Sequence, residues 1–250
     1  MIMLCAAAGI CQAALPGVIA HRGHWTAADS AQNSIGALDA AAGIGCYGAE
    51  LDVHSTVDGV LVVFHDNNIG DVRIQDTTYG NIQNTRLRNG EYLPTLISYL
   101  QAAKRYPALK LILEVKPHRS GERDRQVCAD IVRLVSDMGL ADRVEYISFS
   151  LDACKALHEY APEAKVAYLG GGLTPQQAKD MGLTGIDYHY SFYDKNPDWI
   201  PQANRLGIEV NVWTVDGDEL LRKWSNMPGV DLITTDQPAR LQSIMEQLKQ

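Results

Sequence analysis

The sequence has no run rich in lysine or arginine, and its 30 acidic residues outnumber its 22 basic ones. Broad binding to nucleic acid or to an anionic membrane surface needs clustered positive charge, so neither partner class is expected. A small phosphorylated ligand is still allowed, because one arginine and one metal ion can hold a phosphate locally. With 46% hydrophobic and 21% charged residues, the 250-residue chain can bury a sizeable core.

The sequence also lacks a cysteine pattern. Its five cysteines form no CxxC pair and no metal-ligand spacing. Cys46, Cys128 and Cys154 are therefore predicted to be small buried residues. They do not indicate a cellular compartment.

The N-terminus lacks positive charge, since no lysine or arginine precedes Arg22. Residues 1–14 nevertheless carry a short apolar stretch followed by Ala13 and Ala14, as in a secretory signal peptide. The stretch is too short to span a membrane, and no stable membrane anchor is expected. The segment is interpreted as a signal peptide, which would make the protein periplasmic or secreted, or else as an apolar arm of a cytoplasmic protein.

After this segment, apolar strand-like runs alternate with amphipathic helix-like stretches. The strands are predicted at Gly17–Ala20, Cys46–Val53, Leu109–Val115, Val144–Phe149, Lys165–Leu169, Gly185–Tyr188, Glu209–Thr214 and Asp231–Thr234. The helices are predicted at Ser34–Ala42, Leu96–Arg105, Arg123–Asp137, Leu151–Tyr160, Pro175–Met181, Trp199–Leu206, Gly217–Trp224 and Ala239–Gln250.

Eight strands, each followed by a helix, favour an α/β fold of the (β/α)8 TIM-barrel type over an open doubly wound sheet. Residues 15–250 are expected to form this one domain. The rhythm breaks at about 56–94, where a hairpin-like apolar pair and an irregular stretch predict a small insertion after the second strand.

Polar side chains collect at the ends of the early strands. His21 and Arg22 follow the first strand, and His65 follows the apolar run Val60–Phe64. Glu50 and Asp52 are two residues apart, so both carboxylates point to one face of a strand. In a barrel all these positions converge on one end.

Three carboxylates from two strand ends, Glu50, Asp52 and Glu114, suit one hard divalent cation, Ca²⁺ or Mg²⁺. His21 and His65 suit general acid and base roles, because imidazole titrates near working pH.

Four further side chains are candidates for binding the substrate. Arg22 and Lys116 could hold a phosphate, the first through its planar fork and the second as a point charge. Phe149 and Trp213 both follow apolar strands and could line the cleft, although aromatic core positions explain them equally well. The remaining histidines are interpreted as satisfied polar groups, and His118 alone of them could reach the site.

These motifs together resemble the glycerophosphodiester phosphodiesterase family. The resemblance comprises HRG, ExD, an apolar run ending in HD, and LExKP, followed by the segments DTTYG, YLPTL, ISFS, VWTVD and DLITTDQP. It implies a TIM-type barrel, a divalent cation on Glu50, Asp52 and Glu114, and His21 and His65 as the acid/base pair. It also implies that Arg22 and Lys116 contact the phosphate.

The implied reaction is metal-dependent hydrolysis of a small glycerophosphodiester to glycerol 3-phosphate and an alcohol. The sequence leaves open the alcohol, the ion, the order of the two histidines, water or the glycerol 2-hydroxyl as nucleophile, and the oligomeric state. A phospholipase-D-like or cyclising lyase and a non-catalytic binding protein are the alternatives. One departure concerns substrate identity: the family's Pro-Glu-Asn-Thr segment here reads Ala-Gln-Asn-Ser, with Gln32 in place of the glutamate.

Overall fold

A computed structural model describes residues 15–249 of the chain. The predicted leader at 1–14 lies outside the described residues. The strands are β1 (Gly17–Ala20), β2 (Gly48–Ser55), β3 (Leu61–Val63), β4 (Asn68–Ile69), β5 (Val72–Arg73), β6 (Lys110–Val115), β7 (Val144–Ser148), β8 (Val166–Tyr168), β9 (Gly185–His189), β10 (Glu209–Trp213) and β11 (Leu232–Thr235).

The helices alternate with these strands. They are α1 (Ile35–Gly43), α2 (Tyr79–Ile82), α3 (Leu96–Ala103), α4 (Gly121–Asp137), α5 (Leu151–Tyr160), α6 (Pro175–Asp180), α7 (Tyr190–Lys195), α8 (Trp199–Leu206), α9 (Asp218–Ser225) and α10 (Pro238–Leu248). Short 3-10 turns lie at Ile74–Asp76 and Ala141–Arg143. Within 15–249, none of the helices is both long and apolar enough to cross a membrane.

Eight parallel strands close into a barrel in the order β1, β2, β6, β7, β8, β9, β10, β11, with β11 pairing back to β1. The predicted TIM-type barrel is therefore confirmed and the open sheet is excluded. Because the outer face of each strand packs against helices, the strands read as continuous apolar runs, which is why all eight could be located from sequence.

Polar residues at the ends of the preceding loops cap the amino ends of several helices. Ser150 accepts a hydrogen bond from the Ala153 amide at the start of α5, and Thr174 and Gln177 form a reciprocal capping box at α6. Gly182, with φ of +76°, follows α6 in the left-handed region that favours glycine. The helix starts predicted at Leu151 and Pro175 are thus confirmed.

The barrel interior is filled in layers. An apolar layer of Ile19, Ile112, Ile147, Leu169 and Leu232 occupies the middle. Below it, towards the amino ends of the strands, lies a polar group formed by Tyr47, Glu145, Lys165 and Glu209. The Tyr47 hydroxyl donates to Glu145 at 2.6 Å, and the Lys165 ammonium pairs with Glu209. The interior is therefore packed, and a pocket opens above it at the carboxyl ends of the strands.

The segment between β2 and α3 forms a small substructure at the carboxyl ends of the strands. β3 pairs antiparallel with the end of β2, and β4 pairs with β5 in a separate two-stranded sheet. Val62, Ile74, Ile82 and Leu93 form its own small apolar cluster. This cluster anchors the strand that leads into His65, which places that imidazole at the mouth of the barrel.

The three predicted buried cysteines, Cys46, Cys128 and Cys154, are buried and free, as expected.

Candidate active site

A pocket of about 120 Å³ opens at the carboxyl ends of the barrel strands. Eight of the nine site residues predicted from the sequence line it, and the ninth, Asp52, lies buried directly behind it. The lining residues are His21, Arg22, Glu50, His65, Glu114, Lys116, Ile147, Phe149, Leu169, Asp187, Trp213, Thr214 and Thr234.

Two neighbouring strands supply the three carboxylates. Asp52 on β2 lies beside Glu114 on β6 in the sheet register, and Glu50 lies two residues earlier on the same face of β2. One oxygen from each carboxylate lies within 4.8 Å of the others, and all three side chains are buried. The group is therefore compact enough to bind a single cation.

Burial in one small volume shifts the pKa values of these carboxyls. Burial, and then the charges of Asp52 and Glu114, raise the pKa of Glu50 well above its usual range. Burial and the charge of Asp52 raise the pKa of Glu114 to about 7. Burial opposes ionisation of Asp52 as well, but Lys116 and His65 hold the pKa of Asp52 below its usual range.

These carboxylates leave acceptor oxygens unused. Glu50 Oε2 accepts from the Arg22 amide at 2.7 Å, whereas Glu50 Oε1 is buried with no hydrogen-bond partner among residues 15–249. Glu114 Oε1 contacts the Lys116 ammonium at 2.9 Å as an ion pair, but without hydrogen-bond geometry. Unsatisfied buried carboxylate oxygens are costly unless a cation binds them, so this donor set fits a hard divalent ion.

The loop between β1 and α1 orients Asp52. Asn33 donates to Asp52 Oδ2 at 2.8 Å and accepts from the Asp52 amide at 3.1 Å. Asn33 adopts φ of +62°, in the left-handed region that asparagine tolerates better than most residues. The Lys116 ammonium donates to the other carboxylate oxygen at 3.1 Å. Asp52 is thereby fixed from both sides.

Arg22 lies at the edge of the carboxylate group. Its Nη1 donates to Gln32 Oε1 at 2.8 Å, and its Nε lies 3.8 Å from Asp52 Oδ2. The remaining guanidinium donors can hold an anion in the pocket. Because Gln32 is neutral, the loop orients Arg22 without cancelling its charge.

Each of the two predicted acid/base histidines has a carboxylate on Nδ1. His21 Nδ1 lies 2.8 Å from Asp236 Oδ1, which also accepts from Trp25 Nε1 at 2.8 Å. His65 Nδ1 lies 2.7 Å from Asp66 Oδ1. A carboxylate that accepts from Nδ1–H leaves Nε2 of each ring for the proton transfers.

A second, buried histidine lies beside His65. Burial lowers the pKa of His65, although the charge of Asp52 works in the opposite direction. His54 lies on β2 and is fully buried, and its Nε2 contacts the backbone carbonyl of His65 at 3.3 Å. Burial lowers the pKa of His54 to about 4, so the supporting ring is neutral at working pH.

Part of the pocket wall is apolar and aromatic. The rings of Phe149 and Trp213 meet edge to face, with centroids 5.6 Å apart. Trp213 Nε1 donates to the Asp187 carbonyl at 2.8 Å, which fixes the indole. Phe149 is 41% exposed at the rim, so it lies outside the core.

Other residues were missed by sequence reasoning, or proved unconnected to the pocket. Four residues that contact or line the site could be identified only from the folded structure: Asn33, His54, Asp187 and Asp236. Their signals in sequence were slight: Asp236 follows the last strand and His54 continues the alternation of Glu50 and Asp52.

His118 does not reach the pocket. It accepts from the Ser55 amide at 3.2 Å and contacts Asp124, which makes it a structural residue.

Comparisons with known proteins identify the family. The chain matches the Glycerophosphoryl diester phosphodiesterase family over residues 21–240. It is 26% identical over 246 residues to a glycerophosphodiester phosphodiesterase of Caldanaerobacter subterraneus subsp. tengcongensis, an alignment covering 90% of this chain and 95% of the relative.

Solved structures show the same similarity. A glycerophosphodiester phosphodiesterase from Parabacteroides distasonis superimposes with a TM-score of 0.92 at 47% identity, covering 94% of this chain and 98% of that one. A phosphodiesterase of Oleispira antarctica, 24% identical with a TM-score of 0.80, covers 93% and 97% of the two chains and shares the fold. The chain belongs to the glycerophosphoryl diester phosphodiesterase family, and is thus a phosphoric diester hydrolase.

Proposed function

We propose that this enzyme hydrolyses glycerophosphodiesters to glycerol 3-phosphate and an alcohol by acid/base catalysis between His21 and His65, with a divalent cation on Glu50, Asp52 and Glu114. The observation that carries the proposal is the pairing of each imidazole Nδ1 with a carboxylate, on two rings that line one pocket beside the acidic group. The Oleispira antarctica structure is a complex with the product sn-glycerol-3-phosphate, which is the product proposed for this chain.

The anionic diester would be held by the two cationic side chains of the pocket. Arg22 presents a planar fork, and Lys116 a point charge that already contacts both Asp52 and Glu114. When bound, a Ca²⁺ or Mg²⁺ ion would polarise a phosphate oxygen and neutralise part of the charge that develops during reaction. Both ions accept carboxylate ligands of this kind.

Two proton transfers remain for the histidines. One Nε2 would remove the proton from the nucleophile, which is either water or the 2-hydroxyl of the glycerol moiety. The other would protonate the oxygen of the leaving alcohol, because an unassisted alkoxide leaves slowly. Asp236 and Asp66 would hold each ring in the required tautomer and stabilise its protonated form.

The test is release of glycerol 3-phosphate from glycerophosphocholine and related diesters, first in EDTA and then with Ca²⁺ or Mg²⁺ restored. His21→Ala and His65→Ala should each lower kcat by about two decades or more. His158→Ala, which removes an imidazole from α5 outside the pocket, is the matched control and should retain the wild-type rate.

The outcomes separate the alternatives. Near-wild-type turnover in either pocket variant would remove that histidine from the mechanism. A cyclic phosphate detected by ³¹P NMR would identify the glycerol 2-hydroxyl as nucleophile, and a cyclic product that persists would favour the lyase. Saturable binding without any product would favour a binding protein.

A further inference from the structure

Asp187 is a buried carboxyl that the proposed acid/base and phosphate chemistry does not use. It lies on β9 with 1% of its surface exposed, and it lines the active-site pocket. Its Oδ1 is buried with no hydrogen-bond partner within residues 15–249. A buried acceptor without a partner costs free energy, so a partner supplied by a ligand would explain its presence.

The position of Asp187 in the barrel separates it from the acidic group. In the closed strand order, β9 lies four strands from β2 in either direction, so Asp187 faces Glu50 and Asp52 across the barrel. A phosphodiester whose phosphate is held at β1, β2 and β6 has two arms, and when one of them extends to the solvent the other can extend across the pocket towards β9. Asp187 is therefore placed to contact a part of the substrate other than the phosphate.

The surroundings of Asp187 suit a small polyol. The neighbouring wall offers the apolar side chains of Ile147 and Leu169 for carbon-bound hydrogens, and Asp187 is the carboxyl on that side of the pocket. Phe149 lies at the exposed rim, which leaves the solvent side for the variable alcohol. The inner, closed end of the pocket, formed by Ile147, Leu169 and Asp187, fits the glycerol moiety that every glycerophosphodiester shares.

The ionisation of Asp187 is compatible with an anionic substrate. Burial raises the pKa of Asp187 well above its usual range, the neighbouring Asn211 amide opposes this shift, and the charges of Glu209 and Glu114 add to it. A carboxylic acid in its neutral form both donates and accepts a hydrogen bond, as a hydroxyl group requires. In that form Asp187 would add no further negative charge to a pocket that must admit a phosphodiester.

We propose that Asp187 binds a hydroxyl group of the glycerol moiety at the closed end of the pocket and makes the enzyme selective for diesters with a free glycerol hydroxyl. This inference rests on the proposed function. A competing explanation lies below Asp187, where a cavity of about 20 Å³ beside Asn211 has room for one water. In that case the carboxyl would serve the barrel interior and have no influence on ligand choice.

The decisive measurement is the preference of the cation-loaded enzyme for sn-glycerol 3-phosphate over propyl phosphate, which lacks both hydroxyls. Binding is followed by calorimetry in wild type, Asp187→Leu and Asp187→Asn. We expect wild type to prefer glycerol 3-phosphate by about tenfold or more, since a site built to bond a hydroxyl rejects the analogue lacking it. Asp187→Leu should bind the two ligands equally, and Asp187→Asn should keep part of the preference.

The same preference should appear in turnover. The 2-hydroxypropyl and 3-hydroxypropyl esters of phosphocholine, made from propane-1,2-diol and propane-1,3-diol, each lack one of the two free hydroxyls of glycerophosphocholine. At least one of them should lose about tenfold in kcat/KM with wild type, but little with Asp187→Leu.

Three results would overturn the assignment. They are no preference in wild type, an undiminished preference in Asp187→Leu, or an equal loss of affinity for both ligands in that variant. If Asp187→Leu does not fold, Asp187→Asn takes its place, and an undiminished preference in that variant overturns the assignment. A wild-type enzyme that hydrolyses no glycerophosphodiester refutes the proposed function itself, whereas an active enzyme whose preference survives in Asp187→Leu refutes only the role of Asp187.

Discussion

The metal-free enzyme should lose stability as the pH rises through neutrality, because its acidic group concentrates buried carboxyls. Burial and the charge of Asp52 raise the pKa of Glu114 from its ordinary 4.5 to about 7. The folded protein therefore binds a proton more tightly than the unfolded chain does. The stabilising contribution of Glu114 is fully present below pH 4.5 and is lost as the pH rises to about 7.

The magnitude follows from the size of the shift. One pKa unit corresponds to about 1.4 kcal/mol, so the ionised Glu114 costs the metal-free fold about 3 kcal/mol. For a chain of this length, 1 kcal/mol moves Tm by about 2–4 °C. About 2.5 kcal/mol of this is lost between pH 5 and pH 8, so we expect Tm in EDTA to fall by about 5–10 °C over that range through this group, and Ca²⁺ or Mg²⁺ to restore most of the loss at pH 8.

The assay is thermal unfolding followed by circular dichroism in EDTA and then with the cation added, at both pH values. Glu114→Gln keeps the volume of the side chain and removes its charge, while Lys116 retains its 3.1 Å contact with Asp52. This variant should show a smaller fall of Tm with pH and a weaker response to the cation. Glu163→Gln, an exposed carboxylate, is the control. Identical pH dependence in wild type and Glu114→Gln would refute the reasoning.

Three further substitutions test other parts of the structure. Asp236→Asn removes the negative charge beside His21 and should lower kcat about tenfold with little change in KM; a raised KM with an unchanged kcat would instead assign Asp236 to substrate binding. Gln32→Glu places a carboxylate 2.8 Å from Arg22 and should raise KM for the anionic diester about three- to tenfold, and an unchanged KM would mean that Arg22 does not hold the phosphate. Lys165→Met leaves Glu209 and Glu145 without their cation and should cost about 1–2 kcal/mol in urea unfolding, discounted because the ammonium is partly exposed. The kcat of this last variant should match wild type, since Lys165 lies below the pocket.

The barrel was predictable because the outward-facing residues of parallel strands covered by helices are apolar along the whole strand. The run predicted at Leu109–Val115, for example, forms β6 at Lys110–Val115. Helix α7 was missed because it begins directly after β9, without a loop, in the aromatic segment Tyr190–Tyr193. Its packing comes from aromatic contacts, as between Tyr188 and Tyr193, whose rings stack at 5.9 Å.

The site was predictable where one residue type at a strand end already implied the chemistry. His21 and Glu114 were identified in this way, Glu50 was identified by its spacing of two residues from Asp52, and the pocket does bring all three together. Asp187 was not identified, because an acid inside a short strand looks like any polar residue of a barrel interior. Its unpaired oxygen becomes visible only when the neighbouring side chains of other strands are in place.

The charges of the pocket explain why the acidic group and the substrate are compatible. Three carboxylates face two cations, Arg22 and Lys116, which leaves one negative charge when all are ionised. That balance would repel a phosphodiester, which itself carries one negative charge. A single divalent ion reverses the sign, and burial of Asp187 on the opposite wall favours its neutral form, which would leave that sign unchanged. The same three carboxyls therefore account both for the instability expected without a cation and for the affinity expected with one.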